Sequence, residues 1–91
     1  MKKIDAVKTL GLYGNVLFHF YEKSVCIKLD EGETYQKVTY IKYDDINGIT
    51  FYGGSFAIFN IDCLLYSLDV PSTHIVYVQN IIEELTKRIC E

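Results

Sequence analysis

Few side chains in the chain are suited to chemistry, and the most suggestive pair is His19 and Cys26. They lie on two neighbouring segments in which apolar and polar residues alternate, on either side of a polar tip at Glu22 and Lys23. This pattern is typical of a β-hairpin. With the tip centred there, His19 and Cys26 face each other across the two strands with Cβ atoms about 5 Å apart. A Cys-His pair can form a thiolate nucleophile or half of a zinc site.

The groups that would complete such a site do not follow in the sequence. Zinc requires two further ligands, and nucleophilic catalysis requires an orienting group and an oxyanion hole, yet neither set occurs at a recognisable spacing around His19 and Cys26. We therefore predict that the protein is not an enzyme and carries neither a cofactor nor a metal. An enzyme or metal site at these two residues remains the third hypothesis for function.

Other groups with chemical potential are interpreted as turns. Asp44 and Asp45 are adjacent, so on a strand their carboxylates would point to opposite faces and could not share a substrate. The glycine after them, Gly48, is expected to adopt a positive φ in a bend. Gly53 and Gly54 lack the further glycine and helix of a phosphate-binding loop, and predict the tip of a hairpin.

The first hairpin has a predicted register. It places three apolar pairs on one face: Phe20 with Val25, Phe18 with Ile27 and Val16 with Leu29. A slip of one residue would send one strand's apolar set to the wrong side, which favours this register. The opposite face is the candidate partner-binding surface, and it carries Leu17, His19, Tyr21, Cys26 and Lys28.

Further strands are predicted at residues 35–43, 49–52, 55–62 and 64–70, where β-branched and aromatic residues are frequent. In the last of these strands, Leu64, Tyr66, Leu68 and Val70 are expected to line one face. A polar turn is expected at residues 30–33. The segment 1–14 is ambiguous, since Ile4, Val7 and Leu10 suit a short helix and an edge strand is equally open. Residues 15–70 are therefore interpreted as antiparallel strands.

A helix is predicted at residues 72–90. Its apolar stripe has alternating steps of three and four residues and consists of Ile75, Val78, Ile82, Leu85 and Ile89, with Ile81 beside them. Pro71 marks the start, and Ser72 or Thr73 is expected to cap the first N–H groups. The pairs Glu83 with Lys87 and Glu84 with Arg88 are expected on the exposed side, where they aid solvation.

Length and composition limit the function classes. The 91 residues suffice for one domain with a modest core. A formal net charge of -3 removes the general attraction to phosphates, so a nucleic-acid partner is not predicted. Neither a signal peptide nor a membrane-spanning stretch is recognised. Three cysteines without a CxxC pair suggest reduced thiols in a cytoplasmic protein.

Two stretches resemble the small bacterial pleckstrin-homology-like (PH-like) domains: residues 15–29, NVLFHFYEKSVCIKL, and residues 40–59, YIKYDDINGITFYGGSFAIF, followed by a strand and a helix. The resemblance implies a single α+β domain, in which a strongly twisted antiparallel sheet, or partly open β-barrel, of six to seven strands is capped by one C-terminal helix. Eukaryotic members bind phosphoinositides through several Lys and Arg of the first hairpin. This hairpin departs from that pattern, since it offers Lys23 and Lys28 and no arginine.

The first hypothesis for function is a non-catalytic cytoplasmic binding or assembly module. It acts through protein–protein contacts with a protein partner or with itself, at an exposed strand edge or in the groove beside the final helix. The alternative is binding to a membrane surface or lipid head group. This alternative rests on the resemblance and on lysines at positions 2, 3, 8, 23 and 28, while the acidic net charge disfavours it.

Overall fold

The computed structural model describes residues 6–12, 16–30 and 36–90. These residues form an α+β fold of seven antiparallel strands and one C-terminal helix. The elements are β1 (Lys8–Gly11), β2 (Val16–Phe20), β3 (Ser24–Asp30), β4 (Gln36–Lys42), β5 (Gly48–Tyr52), β6 (Ser55–Phe59), β7 (Leu64–Asp69) and α1 (Ile75–Ile89). The turn predicted at residues 30–33 lies largely outside the described residues, as do residues 1–5 and 13–15 of the N-terminal segment.

The strands are divided between two sheets, with the orders β1-β2-β3-β4 and β5-β6-β7. Within the described residues no ladder joins the two sheets, so the strands do not close into a barrel. The chain passes from one sheet to the other through a single 3-10 turn at Tyr43–Asp45, which is where the sequence predicted a turn. Of the two structures open for the N-terminal segment, the edge strand is present, as β1.

The predicted register of the first hairpin is confirmed for all five pairs: Val16 with Leu29, Leu17 with Lys28, Phe18 with Ile27, His19 with Cys26 and Phe20 with Val25. The side chains of Phe18, Phe20, Val25 and Ile27 are fully buried because this face of the sheet turns toward the other sheet and the helix. Phe18 contacts Phe56 of β6 edge-on, with 6.0 Å between the ring centroids. One hydrophobic core therefore lies between the two sheets and α1.

The helix buries a narrower stripe than predicted. Val78, Ile81 and Leu85 are fully buried, Ile82 and Ile89 are partly buried, and Ile75 is exposed. A 3-10 turn at Ser72–His74 precedes α1, and neither helical segment has a side-chain cap at its start, so the capping role predicted for Ser72 or Thr73 is wrong. Within the described residues, no helix combines the length and the apolar character that a membrane span requires.

Two predictions about the second sheet are corrected. Leu64 is exposed, because the pairing of β6 with β7 shifts by one residue: Ile58 pairs with Tyr66, while Phe59 pairs with Leu64. The unpaired Leu65 is a bulge, and a bulge moves the residues beyond it to the other face. Gly48 has no positive φ, since it already belongs to β5. The positive φ values occur at the predicted hairpin tip, Gly53 (60°) and Gly54 (81°).

Candidate functional site: the outward face of the four-stranded sheet

The candidate surface is the side of the four-stranded sheet that points away from the core. Side chains alternate along a strand, so the neighbours of the buried residues emerge on this side. We call this surface the outward face and define it by Thr9 of β1, Leu17 and His19 of β2, Cys26 and Lys28 of β3, and Val38, Tyr40 and Lys42 of β4. Tyr21, the fifth predicted partner-binding residue, follows β2 and is half-buried.

A row of four side chains crosses the whole sheet on this face. Thr9 pairs with His19, His19 with Cys26, and Cys26 with Tyr40. The Thr9 Oγ1 and His19 Nδ1 atoms are 3.1 Å apart, which is hydrogen-bonding distance. The hydrogen bond between the side chains of Tyr40 and Cys26 raises the pKa of the Tyr40 phenol above its ordinary value. Along this row, polar side chains of neighbouring strands therefore interact with each other.

Apolar side chains surround this row and reach solvent. The exposed fraction is 38% for Leu17, 42% for Val38 and 70% for Tyr40. Cys26 is only 4% exposed although it lies on the outward face. The surface therefore combines a small buried centre with exposed aliphatic and aromatic groups, a composition typical of protein contact surfaces.

The geometry of His19 and Cys26 offers little to catalysis. The two residues are cross-strand neighbours as predicted, but the Cys26 thiol is almost inaccessible, and a nucleophilic thiol needs contact with its substrate. The imidazole Nδ1 of His19 is engaged by Thr9 rather than by the thiol. Across residues 6–12, 16–30 and 36–90, no group of three or more His, Cys, Asp or Glu side chains is arranged to hold a metal ion.

The inner side of the sheet ends in an ion cluster around Glu84, whose predicted pairing with Arg88 is confirmed and whose predicted exposure is wrong. Glu84 was expected on the solvent side of α1, but it is only 5% exposed. Its carboxylate lies 2.7 Å from the Lys8 ammonium and accepts a hydrogen bond of 2.9 Å from Arg88 Nε. The hydrogen bond that Glu84 accepts from Lys8 is the main reason that the pKa of Glu84 lies below its ordinary value; burial opposes this shift.

The cluster fastens α1 to both the edge and the hairpin end of the sheet. Lys8 belongs to the edge strand β1, while the Arg88 guanidinium donates to the Tyr21 carbonyl and lies over the Phe20 ring. The Tyr43 hydroxyl donates to the same carbonyl at 2.7 Å. The signal for Glu84 was its position three residues after Ile81 and next to Leu85, which is the border of the buried stripe. The signal for a lysine partner on β1 was absent, since β1 itself was ambiguous.

A concave surface lies beside the C-terminal half of α1. It encloses about 240 Å³ and is lined by Ile46, Asn47, Gly48, Ile49, Ile82, Thr86, Ile89 and Cys90. It is the groove that the sequence analysis considered as one possible docking place. It offers fewer polar groups for recognition than the outward face, because its lining is mainly aliphatic.

No protein-family model matches the chain, and neither the curated proteins nor the solved structures yield a match.

Proposed function

We propose that the protein is a non-catalytic, cytoplasmic assembly module of PH-like fold that associates with a second copy of itself through the outward face of its four-stranded sheet. The observation that carries this proposal is the exposure of Leu17, Val38 and Tyr40 on one continuous sheet surface around the buried Cys26. Apolar groups gathered on one surface favour association, because burying them removes them from water.

The fold and the cysteines support the remaining parts of the proposal. Two antiparallel sheets followed by a C-terminal helix are compatible with a PH-like domain. Cys26, Cys63 and Cys90 are free thiols, and two of them are exposed. Exposed free thiols suit a reducing compartment such as the cytoplasm. The engagement of His19 by Thr9 and the burial of Cys26 support a role without catalysis.

The test is the mass of the protein in solution, measured by light scattering after size exclusion over a wide range of concentration. We expect the mass to rise above the 10.5 kDa of one chain as concentration increases. Tyr40→Lys should lower association, because it places a charge among the exposed apolar groups. The matched control is Val76→Lys, which adds the same charge at an exposed apolar position on α1. A mass of one chain at every concentration would contradict the proposal.

A second candidate is binding to an anionic membrane surface, and one observation favours it. The charged side chains described on the outward face, Lys28 and Lys42, are both basic. Lys8 does not contribute, because it is paired with Glu84, and Lys2 and Lys3 lie outside the described residues. Sedimentation with anionic vesicles at low and high salt tests this candidate. Binding that salt weakens and that Lys28→Gln reduces, while Lys87→Gln does not, would support it; a lack of sedimentation would remove it.

A further inference from the structure

We propose that the second copy is recruited at the edge of β4, where two β4 strands pair antiparallel about Thr39 and join the two four-stranded sheets into one. This inference rests on the proposed self-association and narrows its interface from the whole outward face to the part that lies on β4, with Val38 and Tyr40. The interface would be isologous: each residue of β4 contacts a residue of the other copy, and the contact is repeated by symmetry.

Among the four edge strands of the described sheets, β4 is the longest, with seven residues in an uninterrupted register against β3. Its centre, Val38 to Ile41, consists of β-branched and aromatic residues without proline, glycine or charge. The other edges are less suited to pairing: β1 has four residues, β7 contains the bulge at Leu65, and β5 borders the groove beside α1. A long, regular, apolar edge favours pairing with another strand.

The hydrogen bonds at the end of the β3–β4 hairpin show which backbone groups of β4 point to the free edge of the sheet. The backbone N–H of Tyr43 donates to the Lys23 carbonyl at 3.1 Å, so Lys23 and Tyr43 form a hydrogen-bonded pair. The next pair along the ladder is Ser24 with Lys42. Hydrogen-bonded pairs alternate along an antiparallel ladder. The backbone groups of Lys37, Thr39 and Ile41 therefore face β3. Those of Gln36, Val38, Tyr40 and Lys42 face the edge, where the described residues supply no backbone partner.

The pleat restricts the possible registers. In a continuous sheet, the side chains of residues directly opposite each other emerge on the same face. The two-fold axis must therefore place one residue directly opposite its own copy, and it cannot pass between two successive residues of the strand. With Thr39 at the centre, Val38 lies opposite Tyr40 of the second copy, and the two-fold axis repeats this pair. In both pairs the backbone groups form hydrogen bonds between the copies. This register joins two exposed apolar side chains as a pair of aromatic and β-branched residues, a favourable cross-strand combination.

Charge does not oppose this register. The lysines of β4 lie near its two ends, at Lys37 and Lys42. About Thr39, Lys42 lies opposite Gln36 and Lys37 lies opposite Ile41, so no two lysines face each other. With Tyr40 at the centre instead, Val38 would lie opposite Lys42, and the apolar pair would be lost. The association is consequently expected to change little with salt.

The first experiment blocks pairing at the free edge of β4 and leaves the hydrogen bonds between β4 and β3 in place. Val38→Pro removes an N–H that points to the edge, whereas the ladder to β3 keeps all its donors. We expect this variant to weaken dimerisation by at least about tenfold in sedimentation equilibrium, because each copy loses a hydrogen bond and gains a steric block. The matched control is Ser67→Pro, which removes an edge-facing N–H from β7, outside the outward face, and which should leave the dimer intact.

The second experiment measures the register directly and does not depend on proline being tolerated. In a background of Cys26→Ala, Cys63→Ser and Cys90→Ser, so that a cysteine at position 40 has no partner in its own copy, Thr39→Cys should form a disulfide between copies under mild oxidation. Residues opposite each other in a pair without hydrogen bonds have Cα atoms about 4.5 Å apart, within reach of a disulfide. Tyr40→Cys in the same background should not cross-link, because Tyr40 lies opposite Val38 in this register.

The outcomes separate this inference from the proposed function. If the wild-type mass never exceeds that of one chain, both fail. If the wild-type protein dimerises, and Leu17→Lys abolishes dimerisation while Val38→Pro does not, the sheets pack face to face; the proposed function then stands and the edge pairing is wrong. Cross-linking at position 40 in place of 39 would also overturn the register.

Discussion

The two sides of the four-stranded sheet are made by alternate residues of the same strands, yet they have opposite surroundings. On β2, Phe18 and Phe20 are completely buried, whereas Leu17 between Val16 and Phe18 is 38% exposed. The inner side is enclosed by the second sheet and α1 and ends in the cluster around Glu84. On the outward face, polar side chains interact with each other and apolar side chains are exposed to solvent. The buried packing is therefore concentrated on one side, and the exposed apolar side chains on the other.

The largest effect that would test this contrast is expected from Phe18→Ala. Phe18 contacts Phe20, Phe56 and Tyr66, so truncation leaves a cavity between the two sheets. We expect the free energy of unfolding in urea to fall by about 4 kcal/mol. Leu17→Ala, the adjacent substitution on the outward face, is the control and should change it by less than about 1 kcal/mol. Equal losses from the two variants would mean that the outward face is also part of the core.

A smaller loss is expected from Glu84→Gln. The amide keeps the size of the side chain but removes the charge that Lys8 and Arg88 share. We expect the free energy of unfolding to fall by about 1.5 to 3 kcal/mol, the range of hydrogen bonds to charged groups. Glu83→Gln alters a neighbouring carboxylate on the exposed side of α1 and should have almost no effect. If both variants behave alike in urea unfolding, the cluster does not stabilise the inner side.

The same cluster predicts a dependence on pH. The pKa of Glu84 lies below its ordinary value of 4.5 in the folded protein, so its ionised form contributes stability above pH 4.5. That contribution is lost as the pH falls through the folded-state pKa, because the unfolded chain then binds the proton more readily. The difference in unfolding free energy between wild type and Glu84→Gln should be constant near neutral pH and shrink below pH about 4.5. A difference that grows on acidification would reverse the assignment.

The smallest effect concerns the three thiols and refines the description of the outward face. Cys63 and Cys90 are exposed, while Cys26 is covered near Tyr40. With a thiol-reactive dye, two groups should react quickly and the third slowly. Tyr40→Ala should accelerate the slow reaction more than Tyr40→Phe, which keeps the ring and removes only the hydroxyl that meets the Cys26 side chain. Three equal rates would show that the centre of the outward face is open.

Much of the fold was predictable where local patterns are strong. The alternation around Glu22 and Lys23 determined every pair of the first hairpin, since a shift by one residue exposes Phe18 and Phe20. The glycines at positions 53 and 54 predicted their turn for a similar reason, because two consecutive positive φ values exclude most other residues. The exposure of Leu64 was not predictable in this way, since the bulge at Leu65 arises from how β7 meets β6.

The candidate site was predictable in part. Leu17, His19, Cys26 and Lys28 were assigned to one face from the hairpin alone, and that assignment is correct; their role in binding remains a prediction. Val38 and Tyr40 extend the face only because β4 lies beside β3, a pairing between separate segments of the chain. Burial of Cys26 follows from the same pairing, because Tyr40 of β4 then lies next to it.

The sequence by itself determined the six strands β2 to β7, the first register and most of the apolar stripe of α1, because these depend on periodicities of two and of 3.6 residues that neighbouring side chains display directly. Only the tertiary structure decided that the strands divide into two sheets, that β4 is an edge, and that Glu84 is buried against Lys8. The physical reason is that burial of a charge, or exposure of an edge, depends on which distant segment lies opposite. Lys8 and Glu84 are far apart along the chain, and no local pattern records that they meet.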